Sequence, residues 1–156
     1  MSNYTIELVQ LPPQRALVTR GEAPPHELGQ VLGHIFPTIA AYIADKGLTT
    51  AGPPHLLYLC MSDVFEFEAG IAVVENDRGK GDIVIGHLPG GAVAKTVHVG
   101  PYEELGAAHE ALVAWATEHG YDVMGPAWDV YVNDPAEVVD PARYETCVHL
   151  KVAKLG

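Results

Sequence analysis

Asp129 is the residue in this 156-residue chain that most invites chemistry. It interrupts the apolar run Ala127-Trp128-Asp129-Val130-Tyr131-Val132. A carboxylate carried into such a setting costs on the order of several kcal/mol unless it is paired. The two-residue period of a strand puts Asp129, Tyr131 and Asn133 on one side. It puts Trp128, Val130 and Val132 on the other, assigned to the face beneath the helices. A carboxylate flanked by aromatic rings suits a lipophilic cation, through stacking, cation–π attraction and a central negative charge. The plain alternative is an exposed edge strand on which Asp129 caps a turn.

Further candidates join it. Tyr58 stands 73 positions before Tyr131, and both tyrosines fit either a cleft or a core in which their hydroxyls are satisfied. Tyr102 follows Pro101 at a helix start, where it overhangs a cleft mouth or staples the helix in place. Glu66 and Glu68 alternate with Phe65 and Phe67. With the rings turned inward, the glutamates face solvent or a groove, and Glu68 becomes the second carboxylate that general acid–base work requires. Phe67 and Trp128 complete the candidate ligand-lining set, with a core role as the alternative for Trp128.

Other chemistries find no pattern. The 8 histidines include no His-x3-His pair with a carboxylate in register, and Cys60 and Cys147 are 87 positions apart, so no metal site is expected. Ser62 lacks a nucleophile elbow, neither cysteine has an electropositive setting, and no glycine loop with a lysine precedes a helix. No cofactor is expected. Both cysteines lie in apolar alternating stretches and read as small buried hydrophobes. With no signal peptide and no long apolar run, the reading is a reduced cytoplasmic protein away from membranes. A net charge of −11 with scattered basic residues argues against direct nucleic-acid contact. The same acidity draws cationic small molecules, or simply keeps the protein soluble.

The elements that must position these residues follow from periodicity. Tyr4 to Leu11 and Arg15 to Arg20 are expected strands, split by Pro12-Pro13. Leu28, Val31, Leu32, Ile35, Phe36, Ile39 and Ile43 form the stripe of an amphipathic helix that ends at Lys46-Gly47, with Pro37 expected to kink it. Strands follow at His55 to Met61, Phe65 to Val74, Ile83 to Leu88 and Val93 to Val99. A second helix opens at Pro101 with Glu103 and Glu104 in its first turn. Its stripe is Leu105, Ala108, Leu112, Val113 and Ala116, and it stops at His119-Gly120. Trp128 to Asn133 and Tyr144 to Val152 are the closing strands.

The two halves of the chain, about 1–80 and 81–156, repeat. Gly47/Gly120, Gly52/Gly125, Pro53/Pro126 and Tyr58/Tyr131 are all 73 positions apart, and the turns before the two helices match at an offset of 76 or 77. The expectation is a single α+β domain of two pseudo-symmetric strand-helix-strand-strand modules with antiparallel sheets. Between them a groove is expected, where side chains of both halves converge on a ligand.

At these residues the sequence resembles the GyrI-like small-molecule-binding domain, known as the effector-binding domain of AraC- and MerR-type multidrug-responsive activators and from DNA gyrase inhibitory protein. The resemblance rests on Gly90-Gly91-Ala92-Val93-Ala94 leading to His98-Val99-Gly100-Pro101-Tyr102-Glu103-Glu104-Leu105. It rests also on Gly125-Pro126-Ala127-Trp128-Asp129-Val130-Tyr131-Val132-Asn133-Asp134-Pro135, on Tyr144-Glu145-Thr146, and more weakly on Phe65 to Val73. It implies two such modules with a ligand cleft between them. At the position of Asp129 the family commonly carries a glutamate that pairs with cationic ligands, so here the acid is one methylene shorter. Some stand-alone members resemble hydrolases of reactive cyclopropane-bearing compounds, which implies Asp129 or Glu68 as base and Tyr131 as proton donor. Unlike the activators, the chain starts its first strand at Tyr4, with no DNA-binding region before it.

The leading expectation is a stand-alone sensor or sequestering protein for an amphipathic or cationic organic molecule. The alternatives are a hydrolase of electrophilic small molecules and a protein inhibitor of a larger enzyme such as gyrase. A protein partner stays open, as does the oligomeric state.

Overall fold

Alternating apolar strands around two amphipathic helices build an α+β structure, seen in a computed structural model that describes residues 4–133 and 139–155. In chain order the elements are β1 (Glu7–Leu11), β2 (Gln14–Ala23), α1 (Leu28–Lys46), β3 (Thr50–Met61), β4 (Phe65–Val73) and β5 (Val84–Leu88). They continue with β6 (Gly91–Val99), α2 (Leu105–Glu118), β7 (Tyr121–Tyr131) and β8 (Glu145–Lys154). A short 3₁₀ turn precedes each helix, Pro25–Glu27 and Tyr102–Glu104.

The chain divides into two compact units. One is Pro13–Leu88, with its strands in the order β5-β2-β4-β3 and every pairing antiparallel. The other joins the chain up to Pro12 to the chain from Pro89 onward, in the order β1-β6-β8-β7, again antiparallel. Each unit thus has the same plan, strand-helix-strand-strand with one more strand on the edge of the first. The sequence halves 1–80 and 81–156 are not these units. β5 stays with the first unit, and the chain's opening strand completes the sheet of the second, because Glu7 to Leu11 pair with Lys95 to Gly91.

In Pro13–Leu88, α1 lies on β4 and β2 and buries Leu32, Ile35, Ile39 and Ile43. The helix stops in a left-handed Gly47 (φ 69°), where Leu48 N donates to Ile43 O at 3.0 Å and Gly47 N to Ala44 O at 3.2 Å. Pro37, expected to kink the helix, lies inside it. Pro37 and Gly33, whose carbonyl loses a partner to it, both lie on the exposed side, where solvent can reach the freed carbonyl. Sheet packing is tight at Gly70, opposite Val18. A Cβ there would fall 2.6 Å from Val18 Cγ1 and 2.9 Å from Val18 Cα, so no side chain fits.

In the second unit, α2 lies across β7, β6 and β8. Its core joins Leu105, Ala108, Leu112 and Ala116 to Ala94, Val148, Leu150 and Val152. Val113, expected in the stripe, is 44% exposed, because the four inward positions already occupy the arc that faces the sheet. Cys60 also departs from expectation. It is exposed at the end of β3, while Cys147 is half-buried, and burial pushes the Cys147 thiol up.

Candidate functional site

Antiparallel register sets the rows of the sheet face beneath α2. Ala94, Leu150 and Ala127 make one row, Thr96, Val148 and Asp129 the next, and His98, Thr146 and Tyr131 the third. The rows grow more polar toward the helix N-terminus. Ala127 and Tyr131 pack on the α2 core, and Asp129 Oδ1 is 2.9 Å from Nε2 of His109 on α2. This reverses the face assignment made from the strand alone. Asp129 and Tyr131 are on the helix side, and Trp128 is on the other, where its ring stacks flat on His149 at 4.9 Å and 3°.

Asp129 is wholly buried and His109 is 15% exposed by side chain, so the imidazole is the outward end of the pair. The two groups stand at ion-pair distance, and since a carboxylate only accepts, Nε2 is the side of the contact able to donate. Among the described residues no other carboxylate is buried.

Tyrosines gather beside it. The Tyr102 ring meets Tyr131 edge-on at 5.3 Å and stacks on Tyr144 at 4.9 Å. The turn carrying Tyr102 is anchored by His98, whose Nε2 is 3.2 Å from Pro101 O and whose Nδ1 is 2.8 Å from the Tyr4 hydroxyl. The buried Thr146 hydroxyl, in register between His98 and Tyr131, has no hydrogen-bond partner among the described residues. An open depression of about 860 Å³ in the same unit is lined by Tyr4, His98, Glu103, Glu104 and Glu110, among others. Asp129 and Tyr131 do not line it. Burial and the nearby Glu104 raise the Tyr4 hydroxyl above its ordinary pKa.

Of the expected site residues, Asp129, Tyr131 and Tyr102 come together in this unit, and Trp128 is on its opposite face. The other three belong to Pro13–Leu88. Tyr58 is buried opposite Phe67 and meets Phe65 edge-on at 5.8 Å. The Phe67 ring, fully buried, covers Gly21 on β2. Glu68 faces the other way and pairs with the exposed Arg20 at 2.8 Å. Asp134 and Pro135, quoted in the sequence motif, lie outside the described residues.

Sequence reasoning passed over His109, and it quoted Tyr144 and Thr146 in a motif without giving either a place in the site. A signal for His109 existed, since it stands four residues after Leu105 and one after Ala108, on the flank of the apolar stripe.

The comparisons with known proteins agree with the architecture. The model of a family described as the GyrI-like small molecule binding domain matches residues 4–153. No curated protein matches the chain. Among solved structures, the EcmrR C-terminal domain is 21% identical with a TM-score of 0.86, covering 99% of this chain and 100% of that one. A hydrolase from Listeria innocua is 15% identical with a TM-score of 0.67, covering 96% and 92%. SAV2435, solved bound to tetraphenylphosphonium, is 13% identical with a TM-score of 0.62, covering 96% and 94%. At these identities the likeness is one of fold. Among the described residues no helix is long and apolar enough to cross a membrane.

Proposed function

The chain belongs to the GyrI-like small-molecule-binding family, and from that premise we propose that it binds an amphipathic organic molecule beside Asp129, His109, Tyr102 and Tyr131. It then serves as a sensor or sequestering module. One observation carries the reading. The single buried carboxylate among the described residues shares a strand face with Tyr131, whose ring meets Tyr102, which in turn stacks on Tyr144. Structural economy does not favour such an arrangement, since apolar residues would fill that layer at lower cost. Recognition does favour it, because flat rings supply area at little entropy cost and a fixed polar pair orients the guest. The ligand of SAV2435 carries four phenyl rings, and such aromatic faces are what a cluster of tyrosine rings receives.

Calorimetric titration with a panel of aromatic amphiphiles, charged and uncharged, tests the proposal. The double variant Tyr102→Ala/Tyr131→Ala should weaken the best of them about tenfold or more, in keeping with the loss of two aromatic anchors. Equal affinity in the variant, or no binding by the native protein at any soluble ligand concentration, would remove the site from consideration. Monitoring the same mixtures by NMR for product tests hydrolysis, the other activity suggested by resemblance.

A further inference from the structure

We infer that His109 is a built-in counter-cation that turns this site away from permanent cations and toward uncharged or weakly basic aromatic molecules. The inference rests on the proposed site and names its ligand class. The geometry is simple. Asp129 has no exposed surface, its Oδ1 is 2.9 Å from His109 Nε2, and His109 is the member of the pair that reaches the surface. A guest approaching the carboxylate by way of that surface meets the imidazole before the acid.

Both protonation states of the ring weaken the attraction. A protonated His109 makes the pair neutral overall and repels an incoming cation at close range. A neutral His109 still covers Oδ1 at 2.9 Å and leaves the guest only part of the acceptor. An uncharged aromatic guest meets neither obstacle. It stacks on Tyr102 and Tyr131, whose rings are 5.3 Å apart, and a hydroxyl on it can donate to Nδ1 of a neutral imidazole or accept from it when the ring is protonated. The substitution that frees the acid should therefore change the order of preference rather than affinity in general.

The test compares methyltriphenylphosphonium with uncharged triphenylmethanol, titrated calorimetrically into the native protein, His109→Leu, His109→Gln and His109→Leu/Asp129→Asn. The native protein should prefer triphenylmethanol or hold both equally. His109→Leu should gain about tenfold for the phosphonium with little change for the alcohol, the scale of one solvent-weakened charge pair. The double variant should lose that gain. His109→Gln keeps a donor for Asp129 without the charge and should show a smaller gain of the same sign. It decides the matter if His109→Leu does not fold. An unchanged preference, or an equal loss for both ligands, would overturn the inference and leave the binding proposal standing. If neither ligand binds any variant, the binding proposal fails, and this inference with it.

Discussion

Two histidines should make this protein acid-sensitive well above the range in which carboxylates titrate. His55 is 2% exposed and its Nδ1 has no hydrogen-bond partner among the described residues. Burial holds its pKa down from 6.5 to about 4. His149, stacked on Trp128, is likewise lowered by burial to about 4, with the Trp128 backbone pulling part of the way back. An unfolded chain takes a proton on each ring near pH 6.5, whereas the folded chain resists until about pH 4. Falling pH therefore favours unfolding across that window, and the stability that these rings give at neutral pH is lost toward its lower end. A gap of that size costs about 2 kcal/mol per ring between about pH 7 and pH 5, so about 4 kcal/mol together. That is a large part of an ordinary domain's stability. Urea unfolding followed by tryptophan fluorescence at several pH values measures it, with His55→Leu/His149→Phe as the comparison. The phenyl ring keeps the stack on Trp128. The native protein should lose stability steeply over the window and the double variant only shallowly. Glu75 and Asp77, whose pKa values are held down mainly by hydrogen bonds from Thr49 and Tyr42, act at lower pH and are common to both proteins. Parallel pH profiles for the two proteins would refute the reasoning.

Other substitutions follow from packing and pairing. Asp129→Ala leaves His109 without its carboxylate and should lower stability by about 3 kcal/mol in urea, with Asp129→Asn milder because an acceptor remains. Gly70→Ala drives a methyl into Val18 and should cost about 3 kcal/mol or more, read from the shift of the urea midpoint. Gly33→Ala, on an exposed turn of α1 with nothing within 4 Å, should instead raise the melting temperature through about 0.5–1 kcal/mol of helix propensity. Removing the Arg20–Glu68 pair by Arg20→Ala should change stability by less than about 1 kcal/mol, since Arg20 is 67% exposed by side chain.

The sequence made α1 legible because its apolar stripe is long and Gly47 ends it unambiguously. β7 was legible only from Trp128 onward. Its first half, Tyr121 to Gly125, has Asp122 followed by the exposed Val123 and Met124, a register shift and Gly125-Pro126, so no alternation survives there. For the site, the period of two correctly joined Asp129 to Tyr131 and separated both from Trp128. Parity says which residues share a side, however, and not which side a helix will cover. That information resides in α2, where His109 looks like a solvent-facing residue until the sheet is set beneath it. The division of the chain escaped for a similar reason, because the pairing of β1 with β6 joins segments far apart in sequence and leaves no local trace.

That pairing bears on how the molecule is made. On a ribosome β1 is released well before its partner, since the strand it must zip onto emerges only after all of Pro13–Leu88 has been translated. The unit between them is one continuous stretch and can mature meanwhile, while the leading ribbon waits as an unmatched edge. Nature's order of assembly would then run outward from Pro13–Leu88, with β1 and β6 joining afterwards.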